Sequence, residues 1–197
     1  MSKPSAGAGV CMVRDDLEGL PDYPLPEGFG LRMYRPGDEA NWLAIERAAD
    51  LYSDHPDTAF AQQFGTDAEV LARRQFYLCD AAGWAVGTTT AWFDDDFDGR
   101  PYGRVHWVAI VPEYQGRGLA KVMLSAACRR LRELGHVRAV LGTQTKRVVA
   151  IRLYLCFGFR PYVRNEAELA AWRTLRDQLP DDLPGETAFA YSPAFSR

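Results

Sequence analysis

Residues 105–121 read VHWVAIVPEYQGRGLAK, and no other stretch limits the fold as tightly. Up to Val111 the residues are mostly β-branched or aromatic and read as a strand. Pro112 has no N–H to offer a ladder and stops it. Gly116 and Gly118 remove side chains where a ligand could meet the backbone. From there Leu119, Met123, Ala126, Ala127, Leu131 and Leu134 recur on one helical face, until Gly135 caps the run. A strand, glycine turn and helix in this order aim unpaired N–H groups and the positive end of the helix dipole at the turn. Arg117 and Lys121 stand where that dipole disfavours cations, so a bound anion accounts for them, and phosphate is the usual guest. Two familiar phosphate motifs do not apply. There is no G-x-x-x-x-G-K-[ST], and Gly116-Arg117-Gly118 is followed by Leu119-Ala120-Lys121, so G-x-G-x-x-G lacks its third glycine.

The flanking pattern places this unit inside one mixed α/β domain. Residues 28–34 alternate as a strand, and the turn at 35–38 opens a helix carrying Trp42, Ile45 and Ala49. Residues 51–65, with His55-Pro56 and Gly65, read as a loop, and Thr66-Asp67-Ala68-Glu69 as a capping box that opens a short helix. Strands at 75–79 and 84–93 make a hairpin, followed by a polar connection at 94–103 and a strand at 104–111. After the long helix come a strand at 137–142, a helix at 147–157, a strand at 159–163 and a last helix at 166–179. The domain is expected over 28–163. Residues 1–27, rich in Gly, Pro, Ser and Asp, read as an extended lead-in, and 164–197 as a C-terminal extension with a helix packed on the domain.

Composition removes several function classes. Lys+Arg number 23 against 26 Asp+Glu, a formal net charge of −3, which argues against a nucleic-acid binder. No apolar run is long enough for a membrane span, and the first residues lack the apolar stretch of a secretory signal. Cysteines at 11, 79, 128 and 156 match no zinc or redox spacing. Reduced thiols, a cytoplasmic location and no bound metal are the expectation.

Gln115-Gly116-Arg117-Gly118-Leu119-Ala120 fits the pattern Q/R-x-x-G-x-G/A, and Ala150-Ile151-Arg152-Leu153-Tyr154-Leu155-Cys156-Phe157-Gly158-Phe159 resembles A-I-x-L-Y-x-x-x-G-F. In this order and spacing the two resemble the signatures of the GNAT superfamily of acyl-CoA-dependent N-acyltransferases. The resemblance implies a central mixed, mostly antiparallel sheet flanked by helices, and acetyl transfer from acetyl-CoA to a primary amine by direct attack. It implies that the backbone of Val108, Ala109 and Ile110 pairs with the pantetheine arm and that Gln115, Gly116, Arg117, Gly118, Leu119, Ala120 and Lys121 hold the pyrophosphate. Tyr154 falls on the tyrosine that protonates the departing thiolate in many members. The acceptor would be a small-molecule or peptide amine, and a homodimer is left open. A non-catalytic acyl-CoA-binding module, which senses the cofactor or partners another protein, is the alternative.

Two positions depart from the family pattern. Arg147 stands where many members have Asn, and Gly142 where some carry a glutamate base. His106 is then the candidate base, because strand alternation places it on one face with Val108 and Ile110. On the acceptor side, Asp94, Asp95, Asp96 and Asp98 could draw in a cationic amine. Tyr52, Phe60, Phe64, Trp84 and Trp92 are candidate pocket walls.

Overall fold

The computed structural model describes residues 3–5, 7–179, 181 and 184–195. Residues 1, 2 and 6 of the expected lead-in, and 180, 182, 183, 196 and 197 of the expected extension, lie outside the described residues. The chain runs β1 (Gly9–Arg14), β2 (Gly30–Met33), α1 (Asp38–Ala49), α2 (Ala59–Phe64), α3 (Ala68–Arg74), β3 (Gln75–Cys79), β4 (Ala85–Phe97) and β5 (Arg100–Ile110). It continues with α4 (Leu119–Glu133), β6 (Ala139–Gln144), α5 (Val148–Cys156), β7 (Arg160–Val163), α6 (Glu166–Gln178) and β8 (Ala190–Tyr191). The strands form one sheet in the order β2-β3-β4-β5-β6-β1-β7-β8. Pairing is antiparallel except between β5 and β6 and between β7 and β8. Among the described residues no helix is long and apolar enough to cross a membrane.

The segment read as an extended lead-in supplies β1, which sits between β6 and β7. Its run Val10-Cys11-Met12-Val13 is apolar, and Val10, Met12 and Val13 are buried. The partners that make it a strand, residues 139–144 and 160–162, lie far along the chain, so no local pattern reports the pairing. Residues 51–65 also differ from expectation. They contain α2, whose Phe60 and Phe64 pack edge-on to Trp42 of α1 with ring centroids 5.5 Å apart in both cases. Helix α3 is capped by Asp67, whose side chain accepts from the N–H groups of Glu69 and Val70, and not by Thr66. The polar connection at 94–103 is instead a continuous hairpin. Phe97 pairs with Arg100 across Asp98 and Gly99, both at positive φ, which is the geometry a two-residue hairpin turn requires.

Helix α4 follows from its stripe. Leu119, Met123, Leu124, Ala127, Cys128 and Leu131 are all buried and pack on the sheet, while Arg129 and Arg132 carry ion pairs on the exposed side. This packing holds the N-terminus of α4 at the end of β5.

Two irregularities in β5 shape the region beyond it. Parallel pairing with β6 is confined to Gly103↔Ala139 and Arg104↔Val140, after which the two strands diverge. On the other edge Thr90 faces His106 and Thr88 faces Ala109, so Trp107 and Val108 together stand opposite one residue, Thr89. This is a β-bulge, and Trp107 takes φ of 53° within it.

Candidate active site

The divergence of β5 from β6 opens a cavity of about 760 Å³. Its walls are the end of β5, the glycine turn with the first turn of α4, the exposed face of α5, and the C-terminal end of α1. Of the residues expected to hold a cofactor, Val108, Ala109, Ile110, Gln115, Gly116, Gly118, Leu119, Ala120 and Lys121 line it. Arg117 does not. Its guanidinium turns back to the Glu113 carbonyl at 3.0 Å and lies over the Tyr114 ring. The Gln115 amide donates to the Ile110 carbonyl at 2.8 Å and ties the turn to the strand end. Gly116 and Gly118 take φ of 74° and 77°, and a Cβ on either would meet no atom within 4 Å. The glycines therefore serve backbone conformation and leave the mouth of the turn open. An anionic, extended group of the pantetheine–pyrophosphate kind fits such a surface: an open strand edge leading to a helix N-terminus.

Tyr154 lines the same cavity from α5, with Ala150 one turn before it. Its ring is buried, and Phe159 stands edge-on at 6.2 Å. Burial pushes the phenol up to about 12; the nearby Glu46 adds to this and the Arg147 cation opposes it. The hydroxyl thus stays protonated across the working pH range.

His106 does not join them. The bulge inserts one residue between it and Val108, so the alternation that would align the two is reversed. Its ring lies against Phe64 and Trp107, with centroids 5.6 Å away in each case, on the α1–α2 side of the sheet. Burial, reinforced by the Arg104 cation, lowers its pKa to about 3. An imidazole so placed is neutral and packed in rings, and it is not among the residues that line the cavity with Tyr154.

The acidic cluster also lies elsewhere. Asp94 pairs with Tyr102, six residues along β4 from the Thr88–Ala109 pair at the cavity, or roughly 20 Å at the strand rise. Asp94 faces Arg104 at 3.5 Å, and Asp98 accepts from the Tyr162 hydroxyl. Of the aromatic candidates, Tyr52 lines the cavity, Phe60 and Phe64 are core, and Trp84 is exposed on a turn.

Three polar residues at the α1 end were not foreseen as a group. Asp50, just past α1, binds the Arg147 guanidinium at 2.8 Å, His55 Nε2 at 3.1 Å and the N–H of Tyr52 at 2.9 Å. Burial alone would raise its carboxyl, but the Tyr52 N–H and Arg147 outweigh burial and hold it below the usual range. Arg147 also donates to Gln144 and stacks over Tyr52. The third is Glu46, on the buried face of α1 and in the cavity wall. The signal for it was present: Glu46 lies four residues after Trp42 and three before Ala49, a carboxyl within an apolar helical stripe.

With this geometry, the comparisons with known proteins are specific. The chain matches the acetyltransferase (GNAT) family over residues 39–159, and it belongs to that family. A mycothiol acetyltransferase of Thermobispora bispora is 35% identical over 153 residues, covering 71% of this chain and 49% of the relative. The chain spans about half the length of the curated relatives it matches. Among solved structures, a GCN5-related N-acetyltransferase from Sphaerobacter thermophilus superposes with a TM-score of 0.63 at 19% identity, over 81% of this chain and 50% of the other. An aminoglycoside N-acetyltransferase solved in complex with CoA superposes with a TM-score of 0.54 at 21% identity, over 70% of this chain and 91% of that one. At these identities the two structures speak for the fold.

Proposed function

We propose that this chain transfers an acetyl group from acetyl-CoA to a primary amine. The observation that carries the reading is that one cavity collects the open edge of β5, the glycine turn at the N-terminus of α4, and the Tyr154 phenol. Bound acetyl-CoA would supply an activated acyl carbonyl and a thiolate leaving group. Val108, Ala109 and Ile110 offer the strand edge to its extended arm. Backbone N–H groups from Gly116 to Ala120, with Lys121 at the cavity wall, take its phosphates, while the Gln115 N–H is held by the Pro112 carbonyl at 3.1 Å. Beyond Arg104 the edge of β5 that faced β6 has no strand partner, and an N–H on that edge can polarise a carbonyl. The Tyr154 hydroxyl donates to the departing sulfur.

Free-thiol release from acetyl-CoA, measured against a panel of amines, tests the reading. The panel includes small amines, an aminoglycoside, a peptide with a free N-terminus and, following the relatives' name, the unacetylated form of mycothiol. Release above the acceptor-free rate with at least one amine is expected. A protein that binds acetyl-CoA and acetylates none of them is a binding module.

Two further outcomes follow from the site's geometry. His106→Ala is expected to leave the shape of the kcat/KM pH profile unchanged, with no limb near pH 6–7 in either protein, because the imidazole is already neutral there. It should lower Tm instead, by the equivalent of about 1–3 kcal/mol, as loss of a packed ring does. A limb that vanishes in the variant would restore His106 as base. Neutralising Asp94, Asp95 and Asp96 together should leave KM for the amine within about twofold, since their distance exceeds the ~8–10 Å screening length. A KM that rises severalfold in the variant, and in the parent with added salt, would return them to a steering role.

A further inference from the structure

We propose that Glu46 is the catalytic base, the group that takes the proton from the acceptor's ammonium, and that the acceptor amine sits between the end of α1 and the β6–α5 connection. This inference rests on the acetyl-transfer reading above and adds a residue and a subsite to it.

Glu46 is 4% exposed, lines the cavity, and its Oε1 has no hydrogen-bond partner. A buried carboxyl oxygen without a donor is costly, and natural proteins keep few of them. The groups facing it explain what it lacks. Asp50 stands one turn on along the helix, with Tyr52 and His55 beyond. Arg147 and Lys146 come from the β6–α5 connection and Tyr154 from α5, while His106 of β5, the strand on which α1 packs, turns to Phe64 and Trp107 instead. The near cation, Arg147, is committed to Asp50 at 2.8 Å and to Gln144. Asp50 and Arg147 therefore balance each other and leave Glu46 without a paired charge. An incoming ammonium supplies it.

The titration fits this task. Burial first, and the Asp50 charge second, push the Glu46 carboxyl up to about 8, with Arg147 opposing. A carboxylate with that affinity for protons can deprotonate an alkylammonium, whereas one with an ordinary value near ~4.3 holds a proton too weakly. In the step itself one N–H bond of the ammonium breaks and one O–H bond forms at Oε1. The ammonium–carboxylate pair becomes a neutral amine and a neutral acid, and the proton leaves to solvent between turnovers. The neutral amine then has its lone pair free, in the same cavity as Tyr154. One site thus holds a carboxyl raised to about 8 as base and a phenol raised to about 12 as acid.

The decisive experiment compares Glu46→Gln with the parent, using the best amine from the panel. The parent's kcat/KM is expected to ascend with an apparent pKa of about 8. In Glu46→Gln that limb should vanish and kcat/KM should fall by about 10²–10⁴-fold. The Tm shift produced by acetyl-CoA should be unchanged. Glu46→Asp, which keeps a carboxylate, should recover part of the activity with a displaced limb. A second readout needs no acceptor. The carboxyl is protonated in both folded and unfolded states below about 4.5, ionises first in the unfolded chain, and ionises in the folded protein only near 8. The parent therefore loses stability relative to Glu46→Gln as pH rises through that window. Their Tm difference should grow in favour of the variant between pH 4 and pH 9. An identical pH–rate profile in Glu46→Gln and the parent overturns the base assignment, as does a Tm difference that is the same at both pH values. A parent that binds acetyl-CoA but acetylates no amine defeats the transfer reading itself, and the role of Glu46 with it; an active parent with an equally active Glu46→Gln defeats Glu46 alone.

Discussion

Tyr154→Phe is expected to lower turnover by about 10²–10⁴-fold while acetyl-CoA binds almost as before. The change removes one oxygen and keeps the ring. The ring is what the fold uses: it is buried in the main core and faces Phe159 at 6.2 Å. Stability should therefore move by no more than about 1 kcal/mol, the net worth of one hydroxyl hydrogen bond. The rate loss corresponds to about 3–5 kcal/mol of activation free energy. Because burial holds the phenol near 12, no descending limb from Tyr154 should enter the pH profile below about pH 10. Turnover of the parent and Glu46→Gln against pH, beside that of Tyr154→Phe, separates the two proton-transfer roles. Undiminished turnover in Tyr154→Phe would mean that water protonates the sulfur.

Gly118→Asp is expected to abolish the Tm increase that acetyl-CoA gives the parent. A ligand at 100 times its Kd stabilises the folded state by about 2.7 kcal/mol, which for a chain of this size is roughly 5–11 °C. Gly118 has φ of 77° and open space around a new Cβ, so Asp, which tolerates the left-handed region better than most residues, fits without a clash. The variant should fold, and its carboxylate then stands at the anion-seeking end of α4, beside Gly116 and Lys121 in the cavity wall. Gly118→Asn carries the same shape without the charge and should retain most of the shift. Equal shifts in parent, Asp and Asn proteins would remove the phosphate from this turn.

Much of this protein was written in local pattern. The turn at Gly116 and Gly118, the apolar stripe of α4 and the one-turn spacing of Ala150 and Tyr154 depend on residues within a few positions of each other. They were legible for that reason, and the cavity is lined by the turn, by Leu119 at the head of the stripe, and by Ala150 and Tyr154. Strands β3 and β7 and helix α6 were similarly plain, because their period or turn chemistry is self-contained.

What only the tertiary structure decided has a common physical cause: it depends on which distant segment lies alongside. Strand β1 exists because residues 139–144 and 160–162 pair with it on either side, across more than a hundred positions of chain. The place of His106 turns on a bulge of one residue against β4, and a single added residue reverses every side chain beyond it. The acidic run at 94–98 is remote from the cavity because β4 continues through it. Glu46 shows the same division within one side chain. Its position in a helical stripe is a fact of the sequence. Its raised pKa, its unpartnered oxygen and its place in the cavity come from burial beside an Asp50 already claimed by Arg147, a residue 97 positions further along the chain. Periodicity and turn chemistry act through neighbours in sequence, whereas desolvation and charge act through neighbours in space.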